Sequence, residues 1–314
     1  MNLRQLRAFA TIVDSGGFAR AADHLHLSQP ALSRQIHALE SDLGLALFDR
    51  IGRGVQLTSE GEDLLRRFRR VLAEVETVGE RARLLKGGET GILRVGATPQ
   101  VIENLLAGFL IRYRGRHPGV EVHLVEDGGA RLLGRLEAGE VHLSITAVGD
   151  TRFDGRLLYP MHVVAAVPPV HRLARRAVIE IAELADEPLL LPQLGFGSRQ
   201  WFDMACDIAH VRPPVLLESA APHTLVALAA AGYAIAILPS NAAGSLERVR
   251  TIPLVQRGAS IGRWAHIRWD PQRFLAPYAE QFVDELAALC RRDFPGRALI
   301  KRGPPLPRPG KQLA

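Results

Sequence analysis

The sequence predicts an α/β chain built in three parts: a winged helix-turn-helix, a long linker helix and a two-lobed α/β domain. Three observations predict it. Residues 2 to 57 hold three short runs of helical apolar spacing, then two strand-like runs around a glycine-rich turn; residues 59 to 86 repeat apolar side chains in steps of four and three. Beyond Gly88, short apolar runs alternate with helical ones, as in a parallel sheet with helices on its faces. A chain of 314 residues, 47% apolar and 23% charged, has material for two or three packed cores, which excludes disorder, collagen or a coiled-coil rod as the whole answer.

The first helix is carried by Leu3, Leu6, Phe9 and Val13 and is broken by Ser15-Gly16-Gly17. Phe18, Ala21, Ala22 and Leu25 share one face of the second, where two alanines permit close approach of a neighbouring helix. Ser28 is placed as N-cap of the third, with Pro30 in its first turn, where the missing N–H costs nothing. In that third helix Leu32, Ile36 and Leu39 share the buried side. Gln29, Ser33, Arg34 and His37 share the other, a long hydrogen-bonding set free of carboxylates until Glu40, which suits a helix laid in a DNA major groove. The plainer alternative is a solvated face. The neighbours favour the first reading: Leu47 to Thr58 forms two short strand-like runs around Gly52-Arg53-Gly54, a wing whose Arg50 and Arg53 would reach phosphates or the adjacent minor groove.

These residues resemble the DNA-binding domain of LysR-type transcriptional regulators. The resemblance is carried by Phe18 to Ala22, Leu27 to Ile36, Leu39-Glu40, Leu43-Gly44, Leu47 to Arg50 and Leu57 to Gly61, and covers nearly all of residues 2 to 62 without a gap. Gly17 departs from it, standing where the family often has a serine that caps the second helix. The resemblance implies double-stranded DNA as partner, read as an interrupted palindromic operator by a homodimer that assembles further into a homotetramer, with RNA polymerase as a further candidate partner.

From Thr58 or Ser59 as cap, Leu64, Phe68, Val71, Val75, Val78, Ala82 and Leu85 follow heptad spacing and form the expected dimerisation seam, among positions rich in Arg and Glu. The alternative is a helix packed on its own domain. Gly87-Gly88 ends the helix and offers a hinge.

In the remainder, strands are expected at 92–97, 120–125, 141–147, 163–167, 189–191, 215–217, 234–238 and 261–269, and helices at 101–113, 132–136, 198–209, 223–231 and 274–291. The family resemblance extends here through Gly91 to Gly96, His171-Arg172-Leu173 and Leu228 to Pro239, with His142 where an aspartate is usual and Ala234 where a glycine is usual. It implies an effector domain resembling a periplasmic solute-binding protein, with the chain crossing between lobes near Met161 and Trp264. The expected organisation is therefore 1–58 winged helix-turn-helix, 59–88 linker helix and hinge, 89–294 effector domain and 295–314 tail. Lobe I takes about 89–161 and 265–294, and lobe II about 162–264.

Ligands of open α/β sheets sit at the carboxyl ends of strands. Ala97-Thr98-Pro99-Gln100 lies where the first such strand gives way to a helix, so Thr98 is read as N-cap and, with Gln100 and the free N–H groups, as a donor set for an anionic or carbonyl group. Residues of this turn line the effector cleft in the family. Across the cleft Gly197-Ser198-Arg199 opens another helix, Arg199 adding a cation and Phe196 an apolar wall. Gly128, Thr146 and His223 complete the candidate set, and a small organic acid is the ligand class this implies.

The net charge of +6 sits mainly in the tail, where residues 295–314 carry five basic side chains, no acidic one and five prolines, so a flexible extension is expected. Cys206 and Cys290 stand too far apart for a framework of disulfides and read as inert buried thiols in a cytoplasmic protein. Near the N-terminus Asp14 interrupts any apolar run long enough for a secretion signal. Leu225–Leu238, in a stretch free of charge from Ser219 to Leu246, falls short of the roughly 20 residues a spanning helix needs and reads as a buried helix followed by a buried strand, so no membrane contact is expected. No dinucleotide, P-loop, zincin or nucleophile-elbow motif occurs, and the histidines show no metal-ligand spacing; no enzyme, metal or cofactor is expected. A transport solute-binding protein or an α/β enzyme with an appended DNA-binding domain is the alternative.

Overall fold

The computed structural model describes residues 1–51, 54–85, 90–245, 248–300 and 303–308. They fall into two compact units, Met1–Gly88 with Glu137–Glu140, and Glu89–Leu136 with Val141–Ala314.

In the first unit α1 (Leu3–Ser15), α2 (Phe18–His24) and α3 (Gln29–Leu43) precede an antiparallel hairpin of β1 (Phe48–Ile51) and β2 (Gly54–Leu57), and α4 (Ser59–Leu85) follows. Each boundary has a local cause. Asn2 and Gln5 close a capping box on α1, and Gly16 ends it at φ +67°. Gly17 gives α2 no side-chain cap. Ser28 Oγ accepts from the Ala31 amide at 3.3 Å to start α3, and Gly44 ends it at φ +68°. Thr58 Oγ1 caps α4 by accepting from Gly61 N at 2.9 Å, and it donates to the Ala46 carbonyl at 2.8 Å. Gly61 is required there, because a Cβ would stand 2.3 Å from the Leu47 carbonyl oxygen. The core joins Leu6, Phe9, Ile12, Ala21, Ala22, Leu32, Ile36 and Leu39 to Leu65 and Phe68 of α4.

The second unit opens with β3 (Gly91–Ala97). A helix then begins as α5 (Pro99–Val101), passes through a π turn (Ile102–Leu106) and continues as α6 (Ala107–Arg116). Next come β4 (Val120–Glu126), α7 (Gly129–Ala138), β5 (Leu143–Thr146), the long β6 (Asp154–Val167), β7 (Ile179–Glu180), β8 (Leu189–Pro192), α8 (Gly197–Ala209), β9 (Val215–Ser219), α9 (Pro222–Ala230) and β10 (Ile235–Pro239). A 3-10 segment (Ser240–Ser245), β11 (Arg250–Gln256), β12 (Ala259–Ser260), β13 (Gly262–Trp269), α10 (Pro277–Arg292) and α11 (Arg297–Ile300) complete it.

Lobe I has strand order β4-β3-β5-β13-β6 and lobe II has β6-β10-β8-β9, with β11 on the other side of β6. The expected parallel pattern is present within each lobe, where β3 pairs parallel with β4 and β5, and β8 with β9 and β10. The sheets are nonetheless mixed. One strand, β6, serves both lobes: Asp154–His162 pairs antiparallel with β13, and Val163–Val167 antiparallel with β10 and β11. The crossings lie at His162/Val163 and Ile261/Gly262, so the return expected near Trp264 comes earlier, and Trp264 itself pairs with Pro160 in lobe I. Gly262 allows the strands to touch there; a Cβ on it would stand 2.2 Å from the Met161 carbonyl oxygen.

The charge-free stretch is α9 and β10, with every residue of β10 buried, and among the described residues no helix is long and apolar enough to cross a membrane. The described part of the tail, 295–300 and 303–308, differs from expectation. Leu299 packs on the lobe II core, Leu306 is buried, and Ser260 Oγ and Trp264 Nε1 donate to the carbonyls of Pro304 and Pro307 at 2.6 and 2.9 Å. Prolines have no N–H to leave unsatisfied when buried, and their carbonyls remain good acceptors, so a proline-rich segment with one apolar anchor docks well.

Candidate nucleic-acid interface and effector cleft

On α3, Gln29, Pro30, Arg34 and His37 are exposed and Ser33 is half-buried, all opposite the buried Leu32, Ile36 and Leu39. Glu40 is turned inward: its Oε1 accepts from the Leu47 and Phe48 amides at 2.8 and 3.4 Å, tying α3 to β1, and its other oxygen stands 3.5 Å from His37 Nδ1. Glu40, the first carboxylate along this helix, is therefore committed to the fold. Arg34 makes no ion pair among the described residues. In the wing, Arg50 lies on β1 opposite Val55, and Arg53 falls outside the described residues.

The seam divides in two. Phe68 is buried in the core of its own unit, edge-on to Phe9 with centroids 5.8 Å apart, and Leu64 packs on the same core. This corrects the expectation for those two positions: the first turns of α4 spend their apolar stripe on α1, to which Arg69 also ties them through an ion pair with Asp14. Farther along, Val71, Val75 and Val78 are 45%, 42% and 68% exposed, and Ala82 is exposed too. Leu85 is the last residue of the helix, and Gly87-Gly88 lies outside the described residues.

In the second unit Thr98 occupies the N-cap position of α5 with extended backbone, but its hydroxyl makes no cap hydrogen bond; Pro99 is half-buried and Gln100 buried. Gly128 is buried, and a Cβ on it would stand 3.3 Å from the Gly195 carbonyl oxygen of lobe II, so the lobes meet at this point. Thr146 is buried, accepting from the Val148 amide at 3.1 Å, and the adjoining Ala147 packs on the lobe II core. On the lobe II side Phe196 is the N-cap of α8 and Ser198 is buried. His223 reaches back across the gap to Glu103 in the π turn, 2.8 Å away. The π turn itself is invisible in the sequence, and such turns occur often at functional sites.

Arg199 corrects the expectation of a cation free for ligand. Its Nε donates to both oxygens of Asp203 at 2.9 Å, and its Nη1 to Glu218 at 2.7 Å and to the Pro192 carbonyl at 3.0 Å. Burial works against its charge, but the hydrogen bonds it donates to Glu218 and Asp203 more than offset that and raise its pKa. It clamps α8 to β8 and β9. The i, i+4 spacing of Arg199 and Asp203 is the signal in the sequence that could have found this pairing.

His142, which stands where the family usually has aspartate, receives the Arg94 amide on Nδ1 at 3.2 Å and has the Arg94 guanidinium 3.1 Å from Nε2. Burial, then the charges of Arg94 and Arg273, push it down to about 3, so it is neutral. Among the described residues no group of three or more His, Cys, Asp or Glu is placed to hold a metal ion.

Two family models match: the bacterial regulatory helix-turn-helix protein, lysR family, over residues 3–62, and the LysR substrate binding domain over residues 86–291. A probable hydrogen peroxide-inducible genes activator from Streptomyces viridosporus is 34% identical over 303 residues, 94% of this chain and 96% of that one. Among solved structures, a full-length OxyR variant from Pseudomonas aeruginosa superposes with a TM-score of 0.69 at 24% identity, covering 95% of this chain and 97% of that one. Full-length CbnR complexed with its target DNA superposes with a TM-score of 0.62 at 24% identity, covering 92% and 100%. With both halves matched in the order and with the elements described above, the chain belongs to the LysR family of DNA-binding transcriptional regulators.

Proposed function

We propose that α3 reads an operator in the major groove through Gln29, Ser33, Arg34 and His37, with Pro30 at the helix entrance and the wing arginines Arg50 and Arg53 on the backbone or adjacent minor groove. The observation that carries this reading is the outer face of α3, where Arg34 stands exposed and uncommitted while Glu40 is drawn inward. A guanidinium in that position suits bidentate contact with guanine. CbnR, whose fold is similar, is a protein complexed with its target DNA.

Two chains joined along Val71, Val75, Val78, Ala82 and Leu85 present two such helices about a two-fold axis, which calls for an interrupted palindrome as operator. Further pairing into a tetramer, contact with RNA polymerase and a cytoplasmic location follow as expectations of the family. The effector is a small molecule bound between the lobes, bordered by Thr98, Pro99, Gln100, Gly128 and Thr146 on one side and by Phe196, Ser198 and His223 on the other. An organic acid remains the ligand class, held by the Gln100 N–H and the Thr98 hydroxyl at the start of the Pro99 helix rather than by Arg199, the Val101 and Ile102 amides being spent on the Thr98 carbonyl. Binding would shift the lobes and re-angle the paired winged helices on DNA.

The test is Arg34→Ala in the full chain, titrated against its operator. Expected is a loss of ~1–3 kcal/mol in specific binding with an unchanged melting profile. Parent-like affinity would remove α3 from the groove.

A further inference from the structure

The C-terminal segment has no role in the reading above, and the matched family model stops at residue 291. Its path is specific. After α10, Phe294 stacks on Tyr159 of β6 in lobe I, with centroids 5.4 Å apart and planes at 12°. The chain then turns at Gly296, φ +83°, where a Cβ would stand 2.2 Å from the Ser240 carbonyl oxygen. Only glycine fits that approach. Ser240 in turn receives the His162 amide on its hydroxyl at 3.1 Å, so the tail is seated against the residue at which β6 leaves lobe I.

Beyond Gly296 the segment belongs to lobe II. Leu299 of α11 packs on its core, Gly303 lies against Pro253 of β11, and the Pro304 carbonyl accepts from Ser260. It then returns to lobe I. Leu306, 7% exposed, covers the second crossing, its Cδ1 standing 3.0 Å from where a Cβ on Gly262 would be. Pro307 accepts from the Trp264 indole, and the Arg308 guanidinium lies 5.8 Å from the centre of that ring. One segment thus covers the second crossing and abuts the first through Ser240, and it is fixed to lobe I at Phe294, to lobe II at Leu299 and Pro304, and to lobe I again at Pro307 and Arg308.

We propose that residues 296–300 and 303–308 are a strap across the hinge that sets the resting angle between the lobes and must loosen when they move, an inference that rests on the inter-lobe gap being the effector site. Lobe rotation turns Gly262 and Trp264 relative to Ser260 and Pro253, and the strap holds both sides through carbonyls of prolines whose backbone has little freedom to follow. Leu306 fills the space over the glycine that the crossing needs. Removing the strap leaves the two crossing strands and the contacts at Gly128, Ala147 and His223 to set the angle.

The test uses the full chain with spin labels at Ile111→Cys on lobe I and Val170→Cys on lobe II, both highly exposed positions, while native Cys206 and Cys290 are buried. Labelled chains are diluted with unlabelled ones so that the distance measured by double electron–electron resonance is within one chain. A chain ending at Arg302 and the Leu306→Asp variant are compared with the parent, and the Trp264 indole N–H resonance reports docking. The strap requires a narrow parent distance, a broadened or displaced one in both variants, and a moved Trp264 resonance in the shortened chain. An unchanged distance with a moved resonance shows a tail that docks without restraining the lobes, and an unmoved resonance shows no docking on β13; either overturns the proposal. Because no effector is added, the strap stands or falls apart from ligand binding, which a screen of small carboxylates decides separately.

Discussion

Two substitutions on α4 are expected to have opposite consequences although both remove apolar side chains from one stripe. Phe68 is 5% exposed and packed edge-on to Phe9, so Phe68→Ala should cost the first unit about 3–5 kcal/mol. Val71, Val75 and Val78 retain 45%, 42% and 68% of their surface, so full burial of each against a partner helix would contribute ~1 kcal/mol, about half of the whole-valine value. Three from each of two helices give ~6 kcal/mol, a factor of ~10⁴ in the dimer dissociation constant. Val71→Asp with Val78→Asp forfeits most of that and sets carboxylates against each other across the seam. Sedimentation velocity over a concentration series and circular-dichroism melts separate the cases. Phe68→Ala should lower the melting temperature, whereas the double aspartate should fall to monomer with the secondary structure of the first unit intact. An unchanged oligomer in the double variant would refute the seam.

Other outcomes follow from the second unit. Arg199→Ala should destabilise lobe II by ~1 kcal/mol in urea melts, since it unpairs Asp203 and Glu218 while water still reaches both carboxylates, and should leave the affinity of a carboxylate effector unchanged; Thr98→Val should do the reverse, and a fall in effector affinity with Arg199→Ala would return Arg199 to the site. Buried His162, whose ring nitrogens have no partner among the described residues, is pushed down to about 4 by burial. Below its unfolded value near 6.5 the unfolded chain takes up a proton that the native one refuses, so stability is lost as pH falls from ~6.5 toward 4, at ~1.4 kcal/mol per pH unit for this group. His162→Leu should flatten that slope in urea melts at pH 5 and 7, and an equal slope in parent and variant would contradict it. Burial pushes both Cys206 and Cys290 up to about 12, so a thiol reagent should leave the native chain unlabelled; rapid labelling or a disulfide between them would revive a redox role.

The helix-turn-helix was legible because its signals are local: caps at Ser28 and Thr58, glycines at 16 and 44, and apolar spacing that matches one small core. Strands buried on both faces, such as β8 and β10, were legible as continuous apolar runs. The first half of β6 was not, since Asp154, Arg156 and Pro160 interrupt the pattern, and β11 carries Pro253, which reads against a strand although it pairs with Val164. A heptad stripe reads the same whether it meets its own domain or a partner, so Phe68 and Val75 could not be told apart. The Arg199 network needed Glu218 from a strand nineteen residues away, and the docked tail has one buried leucine among prolines, too little for any periodic signal.

The central claim is sequence-specific DNA recognition by paired helices, and it is tested most directly by sequencing the genomic fragments retained by the purified full chain at ~0.15 M salt. The result expected is enrichment of one interrupted palindrome, with half-sites centred one or more helical turns apart and an affinity that falls steeply with salt. Retention of fragments without a shared motif, or of none, would contradict it.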